Sequence, residues 1–183
     1  MIPINLGEFI TKLKGRTKSP PGVGADEIFW SWFGSFLGIA AVAYISYQYL
    51  ETTDLTMIIG SFGASAVLIY AAIKSPLAQP RNLIGGHVIS AMIGVFVYNH
   101  IMSLWLASAI AVSFAIAGMH MTKTLHPPGG ATALIAVIGS DKIHALGYNY
   151  VIIPVAIGAI IMLIIALIVN NIAKNRSYPE YWI

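Results

Sequence analysis

The chain has 183 residues, of which 57% are hydrophobic and only 9% are charged, and it contains no cysteine. A soluble domain carries about 25% charged residues, so this composition excludes a soluble monomer and a polar, disordered chain. It indicates an integral membrane protein, and the lack of thiols excludes disulfides, thiolate catalysis and cysteine-ligated metals.

Residues 1–28 form a polar, basic arm ahead of the first apolar stretch. Asn5 and Glu8 have the spacing of a capping box, and the apolar residues around them share one helical face beside Lys12. This pattern predicts a short helix that lies on the cytoplasmic lipid surface, followed by a linker at 19–22.

Charged residues divide the rest of the chain into long uncharged stretches. These stretches are 28–50, 55–73, 82–122, 124–140 and 143–173. A helix needs about 20 residues to cross the hydrocarbon core. The third stretch is therefore expected to cross twice, with a turn near 99–103, and the fifth to begin with a loop. The fourth is short, because Pro127 and Pro128 are expected to prevent regular helix before Gly129.

Six crossings place every Lys and Arg residue except Lys142 on the side of the N-terminus. Since positive residues prefer cytoplasmic loops, we expect a multi-pass protein of the inner (plasma) membrane with both termini in the cytoplasm. In the alternative topology there are four crossings, and 55–73 and 124–140 are re-entrant. That arrangement leaves more of the basic residues outside.

A short internal repeat predicts that the transmembrane domain, residues 29–173, consists of two halves. GASAVL at 63–68 matches GATALI at 130–135 in three identical and three conservative positions. A three-span unit repeated in tandem must insert upside down the second time. We therefore predict an all-α polytopic membrane protein with two inverted three-span repeats, about 29–101 and 103–173. Residues 174–183 would form a cytoplasmic tail.

Both repeated segments open with glycine in a helix-breaking context, so each half is expected to contain a short helix that starts inside the membrane. The free N–H groups and positive dipole ends of two such helices, meeting between Gly63 and Gly130, would form an anion site. Neighbouring hydroxyl, imidazole and ammonium groups would assist. The expected binding residues are Ser61, Gly63, Ser65, His87, Lys123, His126, Gly129, Gly130 and Thr132.

Two of these residues have a second interpretation. Lys123 is alternatively a lysine that reaches lipid headgroups, and His87 a buried histidine bonded to the backbone. No Asp or Glu lies within a predicted crossing, so neither a cation site nor a carboxylate proton relay is indicated. His120 and His126 do not share a helix face as a metal pair would, and we expect no metal and no cofactor.

The motif HPPGGATA at 126–133, preceded by SFGAS at 61–65 and PLAQPRN at 76–82, resembles the HPP family of integral membrane proteins. The resemblance covers about residues 28–173. The family is described as having four spans, and its members in cyanobacteria and chloroplasts are associated with nitrite transport. The resemblance thus implies transport or channel-type permeation of a small inorganic anion, with nitrite expected, whereas the residues themselves select no particular anion.

Two other functions stay open: a non-transporting module that assembles with a partner, and a membrane enzyme that uses His126 and Lys123. Because no carboxylate or nucleophile–base set accompanies these two residues, we expect that the protein is not an enzyme. The expected partners are the anion and membrane lipid, not nucleic acid. Self-association is a further expectation, with the small-residue ridge Gly34–Gly38 as the subunit face.

Overall fold

The computed structural model describes residues 6–13, 17–50 and 58–183, and every regular element within these ranges is a helix. In chain order the helices are α1 (Leu6–Leu13), α2 (Ala25–Ile45), α3 (Gly60–Ala66), α4 (Pro80–His100), α5 (Leu104–Met121), α6 (Pro127–Ile138), α7 (Asp141–Leu146) and α8 (Ile157–Ile172). Wider π-helical turns extend α2 over Ser46–Leu50 and α3 over Val67–Ala71, and Val151–Ala156 leads into α8 in the same way.

Four helices of the described ranges are long and apolar enough to span a membrane: Ala25–Gln48, Pro80–His100, Leu104–Met121 and Val151–Ile172. The predicted all-helical membrane class is therefore confirmed. Two further apolar helices, Gly60–Ala71 and Pro127–Ile138, are shorter. At 1.5 Å per residue each rises only about 18 Å, against about 30 Å for a hydrocarbon core.

The start of α6 differs from the prediction. Pro127 and Pro128 do not delay the helix but occupy its first positions. Proline suits the first turn, since its φ is already helical and its missing N–H would have no partner there. Asp141–Leu146, predicted as part of a loop, forms α7.

Two contacts tie helix ends together. Arg176, which follows α8, lies 3.3 Å from Glu27 in the first turn of α2. Arg81, at the start of α4, donates a hydrogen bond to the carbonyl of Thr122, just beyond α5, at 2.8 Å. Each contact joins the start of one long helix to the end of another, so the helices within each pair run antiparallel.

Residues 174–183, predicted as a tail, pack on the segment before α4. Tyr178 donates to the carbonyl of Ala78 at 2.7 Å, and the Glu180 N–H donates to Gln79 Oε1 at 2.8 Å. These bonds bring the two pairs of helix ends together. The starts of α2 and α4 and the ends of α5 and α8 therefore lie at one end of the bundle, which we call the Arg176 end.

The opposite end, the His144 end, holds the Ile101–Ser103 turn and α7. The ring of His144 stacks on Tyr98, near the end of α4, with 3.9 Å between ring centroids. His144 also contacts the carbonyl of Val137 in the last turn of α6, at 3.2 Å. The ends of α4 and α6 thus lie together at the His144 end.

The two short helices run in opposite directions. Ser61 and Ser65, one turn apart on α3, contact Thr132 and His126 respectively. Residue numbers therefore rise along α3 while they fall along its partner, so α3 and α6 are antiparallel. Arg176 donates to the carbonyl of Tyr70, which places the π-helical continuation of α3 at the Arg176 end.

The Gly34–Gly38 ridge, predicted as a subunit face, packs inside the chain instead. A methyl group added at Gly34 would lie 2.7 Å from a ring carbon of Tyr70, and one at Gly38 would overlap the same ring. The Tyr70 hydroxyl donates to the carbonyl of Met162 on α8 at 2.9 Å. The small residues on α2 thus make room for a tyrosine of the same bundle.

Candidate functional site

Five polar side chains meet in the interior of the domain, and we call them the polar cluster. They are Ser61, Ser65, His87, His126 and Thr132, and each has an exposed fraction of 0%. They come from α3, α4, α6 and the residue just before α6. Polar groups inside a membrane domain cost free energy unless they are paired, and they are concentrated at functional sites.

The polar cluster forms one continuous chain of hydrogen bonds. Ser65 Oγ lies between two imidazoles, 2.7 Å from His87 Nε2 and 2.9 Å from His126 Nε2. His87 Nδ1 lies 2.7 Å from Thr132 Oγ1, which is placed to donate to Ser61 Oγ at 2.9 Å. At the other end, His126 Nδ1 lies 2.8 Å from the carbonyl oxygen of Leu77. The chain therefore runs from Ser61 to Leu77.

Close backbone contact brings His126 next to α4. A methyl group added at Gly86 would lie 2.5 Å from His126 Cβ, and one at Gly129 would lie 2.9 Å from the carbonyl oxygen of Gly86. Only glycine permits this approach. Ser61 and Ser65 share a face of α3 because they are four residues apart, so one hydroxyl meets Thr132 and the other meets the two imidazoles.

Two aromatic residues hold the cluster in place. Phe62 packs edge-on against His87, with 5.4 Å between ring centroids. Tyr150, ahead of α8, donates its hydroxyl to the carbonyl of Thr132 at 3.1 Å. The segment ahead of α8 is thereby bonded to the polar cluster.

Ser90 is a further polar residue at this site, and it is not among the binding residues predicted from the sequence. Its Oγ is fully buried and has no hydrogen-bond partner within the described residues. A methyl group at Gly129 would lie 2.7 Å from this oxygen. Such an unpaired hydroxyl costs about 1–3 kcal/mol, which makes it a candidate contact for a ligand. The only signal in the sequence is the position of Ser90 midway between Gly86 and Gly94, in a row of small residues spaced by four.

The predicted site between Gly63 and Gly130 is wrong in its geometry. A methyl group at Gly63 would meet no atom within 4 Å, and one at Gly130 would only touch Val112 of α5 at 3.8 Å. Each glycine lies two residues before or after a cluster hydroxyl, and two residues turn a helix by about 200°. The serine and threonine faces therefore point inward, whereas the two glycines point away.

The start of α6 does not offer the free N–H groups that the prediction required. Pro127 and Pro128 have no N–H, and the N–H of Gly129 donates to the carbonyl of His126 at 2.8 Å. The polar contacts that the structure shows at this site are made by side chains.

Lys123 lies outside the polar cluster, with an exposed side chain. The Thr124 N–H donates to the carbonyl of Met119 at 2.8 Å, and the Lys123 N–H donates to that of His120 at 3.2 Å. This pair of bonds is a Schellman motif that ends α5, with Lys123 at the left-handed position (φ 57°) where glycine is usual.

A metal site would need a third ligand beside the two imidazoles. The described ranges contain no group of three or more His, Cys, Asp or Glu side chains that could hold a metal ion. The chemistry that the polar cluster can perform is hydrogen bonding to a small polar ligand and transfer of protons along the chain.

Known proteins resemble this chain over nearly its whole length. A family profile described as the HPP transmembrane region matches residues 20–179. A transmembrane protein of Dictyostelium discoideum is 48% identical over 180 residues, which cover 96% of this chain and 57% of the relative. A second transmembrane protein of that organism is 47% identical over 173 residues, covering 92% of this chain and 60% of the relative.

The chain thus spans less than two thirds of the length of these relatives. No solved structure matches it significantly. The family profile extends from before α2 to beyond α8 and includes every residue of the polar cluster. The chain belongs to the HPP family of transmembrane proteins.

Proposed function

We propose that the protein is a membrane transporter that moves a small inorganic anion past the polar cluster. The observation that carries this proposal is the continuous chain of fully buried polar side chains inside a membrane domain. A domain that only anchors or assembles gains little from such groups, because lipid and apolar side chains can fill the same space without their desolvation cost. Intramembrane ionisable residues typically mark the path of an ion or substrate.

A topology of six crossings in two inverted halves would support transport. The half α2–α3–α4 would begin at the Arg176 end, and the half α5–α6–α8 would begin at the His144 end. The antiparallel contact of α3 with α6 and the placement of Tyr70 at the Arg176 end agree with this arrangement. The polar cluster then lies where the short helices start, which is where inverted-repeat transporters hold their substrates.

The chemistry of the site favours an anion. The polar cluster and Ser90 supply hydroxyl and imidazole groups that donate hydrogen bonds, and the spanning helices bring no carboxylate to it. Cations in membrane proteins are typically held by carboxylates or by several carbonyl oxygens aimed at them. The resemblance to HPP members associated with nitrite transport makes nitrite the anion to test first.

Anion flux through purified protein in liposomes tests this function. We expect nitrite to enter protein-containing liposomes faster than protein-free ones. Ser65→Ala removes the bridge between the two imidazoles and should slow entry about tenfold, the effect of losing one to two buried hydrogen bonds. The matched control is Ser113→Ala, because Ser113 is exposed and donates only to the carbonyl of Ile110 in its own helix, at 3.1 Å.

Two results would contradict the proposal in different ways. Entry no faster than in protein-free liposomes, for nitrite, nitrate, chloride and formate alike, would favour a module that assembles with a partner. Equal flux in Ser65→Ala and Ser113→Ala would still show transport, but it would place the anion path away from the polar cluster.

A further inference from the structure

The hydrogen bonds of the polar cluster constrain where its protons can be. The carbonyl oxygen of Leu77 can only accept, so His126 must donate to it through Nδ1. A neutral imidazole carries one N–H, so Nε2 of a neutral His126 has to accept. Within the described residues its partner there is Ser65 Oγ, at 2.9 Å, which must then donate.

In the neutral state, the fact that Ser65 must donate to His126 fixes the donor of every other hydrogen bond in the chain. Ser65 has a single hydroxyl hydrogen, so His87 Nε2 must donate to Ser65 Oγ. His87 Nδ1 then accepts from Thr132, so the bond between Thr132 and Ser61 is kept only if Ser61 becomes its donor, the reverse of the direction in which the structure places it. All donors therefore point from Ser61 toward Leu77. If Thr132 donated to the carbonyl of Pro128 instead, at 3.3 Å, both Nε2 atoms would have to accept from Ser65. Ser65 has one hydrogen, so one of the two Nε2 atoms would be left without a hydrogen bond.

One added proton reverses every hydrogen bond between Ser61 and His126. When His126 carries a hydrogen on both nitrogens, it donates to Ser65, Ser65 donates to His87, and His87 donates through Nδ1 to Thr132. Thr132 then donates to Ser61, which is the direction in which Thr132 is placed. The neutral and the protonated chain are both fully bonded once the Ser61 side chain turns to donate in the neutral state, and apart from that turn they differ by one proton.

We propose that this chain is a proton wire that loads one proton onto His126 for each anion transported. A proton from water binds Ser61 Oγ, and Ser61 passes its own hydrogen to Thr132. Thr132 passes its hydrogen to His87 Nδ1, His87 passes the one on Nε2 to Ser65, and Ser65 passes its hydrogen to His126 Nε2. One proton enters, each O–H or N–H bond broken is replaced by one formed, and the charge ends on His126.

Among the described residues, no charged side chain is hydrogen-bonded to the polar cluster. His87 is the titratable side chain that α4 presents to His126, and Tyr150 reaches the backbone of Thr132. The sequences of α3 and α8 contain no titratable residue, and α5 has only His120, which is exposed. A lone anion and a lone imidazolium are each costly to bury, whereas together they carry no net charge. Proton and anion should therefore move as a pair.

The opposite end of the wire has its own exit. Release of a proton on the Leu77 side requires that Nδ1–H separate from the carbonyl of Leu77. His126 then keeps the hydrogen on Nε2, so the chain has to turn back to its neutral orientation before it loads again. Leu77 lies in the Pro76–Ala78 turn at the Arg176 end, where Tyr178 and Glu180 hold the neighbouring residues. The wire is thus loaded near Ser61 and emptied toward the Arg176 end.

Nitrogen-15 NMR of the histidine-labelled full chain in lipid tests the wire without transport. Histidine-to-glutamine variants assign the five imidazoles. At high pH we expect a hydrogen on Nδ1 of His126 and on Nε2 of His87. On lowering the pH, His126 should gain its second hydrogen while His87 switches its hydrogen to Nδ1 in the same step. In Ser65→Ala the two changes should separate, whereas Ser113→Ala should behave as the unchanged chain.

Two results would overturn the wire. One is a His126 that stays neutral at every pH at which the protein is folded, and the other is a His87 that keeps its hydrogen on the same nitrogen while His126 titrates. A pH-sensitive dye inside liposomes then tests coupling: we expect one proton to enter per nitrite. Protein-free liposomes correct for passive entry of nitrous acid.

The coupling to an anion rests on the proposed function, but the two can fail separately. A tautomer switch without anion flux would leave the wire and reject anion transport. Anion flux without the switch would leave transport and reject the wire.

Discussion

Gly86 and Gly129 lie where α4 touches the start of α6, and the position of His126 depends on that contact. Gly129→Ala would place its methyl group 2.7 Å from Ser90 Oγ and 2.9 Å from Met119 Sδ. We expect it to lower the free energy of unfolding by about 1–3 kcal/mol, as overpacking does. Thermal unfolding in detergent measures this change.

The repeat itself supplies the matched controls for that substitution. Gly63→Ala and Gly130→Ala add the same methyl group where there is room, and alanine favours helix. Both variants should be at least as stable as the unchanged chain. If Gly129→Ala were as stable as Gly63→Ala, the close contact of α4 with α6 would not hold.

Lys123 occupies a backbone conformation that disfavours its own side chain. Lys123→Gly should raise the free energy of unfolding by about 1 kcal/mol, because glycine adopts positive φ without the Cβ clash. Lys123→Gln keeps the clash and should leave stability unchanged. Anion flux should persist in both variants, since the side chain lies outside the polar cluster. Loss of flux in both would show that the lysine charge acts on the anion path.

For single residues, the sequence predicts which side chains come together more reliably than it predicts which face of each helix points inward. The HPP motif and the repeat bring together Ser61, Ser65, His126 and Thr132, which the structure places in one cluster. The inward face of a helix of about three turns depends on its packing partners, so the glycines were wrongly placed. Ser90 could not be predicted as a site residue, because a lone serine in a membrane helix belongs to no motif.

Helix α2 packs against the continuation of α3 by accommodating the Tyr70 ring at Gly34 and Gly38. Gly38→Ala would place a methyl group against the Tyr70 ring, whose hydroxyl is fixed to Met162. We expect a loss of about 1–3 kcal/mol in unfolding free energy and no change in oligomer size. Gly22→Ala, in an open part of the linker, is the control.

A different outcome would restore the ridge to its predicted role. If Gly38→Ala left the unfolding temperature unchanged but shifted the size of the particle in gel filtration, the small-residue ridge would be a subunit face. The sequence could not decide between these two uses. A ridge of small residues on a membrane helix indicates close packing, and it does not say whether the partner is the same chain or another copy.

At the start of α6, two general effects of proline on helices lead to opposite predictions. Proline interrupts a helix interior but suits its first turn, and the sequence does not say which of the two applies at Pro127. The long helices α4 and α5 and the turn between them follow from hydropathy and length alone, because a lipid-facing helix must be apolar throughout its crossing. Their bounds agree with the predicted turn near 99–103.

At the scale of the whole molecule, composition was sufficient for the class of protein, whereas the packing of the C-terminal residues could not be foreseen. Arg176 is buried between the carbonyl of Tyr70 and Glu27, and this burial lowers its pKa although the carboxylate opposes the shift. Tyr178 bonds to Ala78, about a hundred residues away in sequence. Contacts at that separation leave no periodic signal, so the segment reads as a tail.

The sidedness of the loops decides whether the polar cluster lies between two inverted halves. The chain has no cysteine, so single cysteines can be introduced at the exposed positions Lys74, Lys123, Ser177, Ser103 and Tyr148. Each variant would be treated in intact bacterial cells with a maleimide that cannot cross the membrane, and again after the cells are opened.

Six crossings predict that Lys74→Cys, Lys123→Cys and Ser177→Cys react only in opened cells, whereas Ser103→Cys and Tyr148→Cys react in intact ones. With two re-entrant helices, the cysteines at 74 and 123 would instead react from the same side as that at 148. That result would place the starts of α3 and α6 on one side of the membrane and contradict the inverted arrangement on which the proposed path through the polar cluster depends.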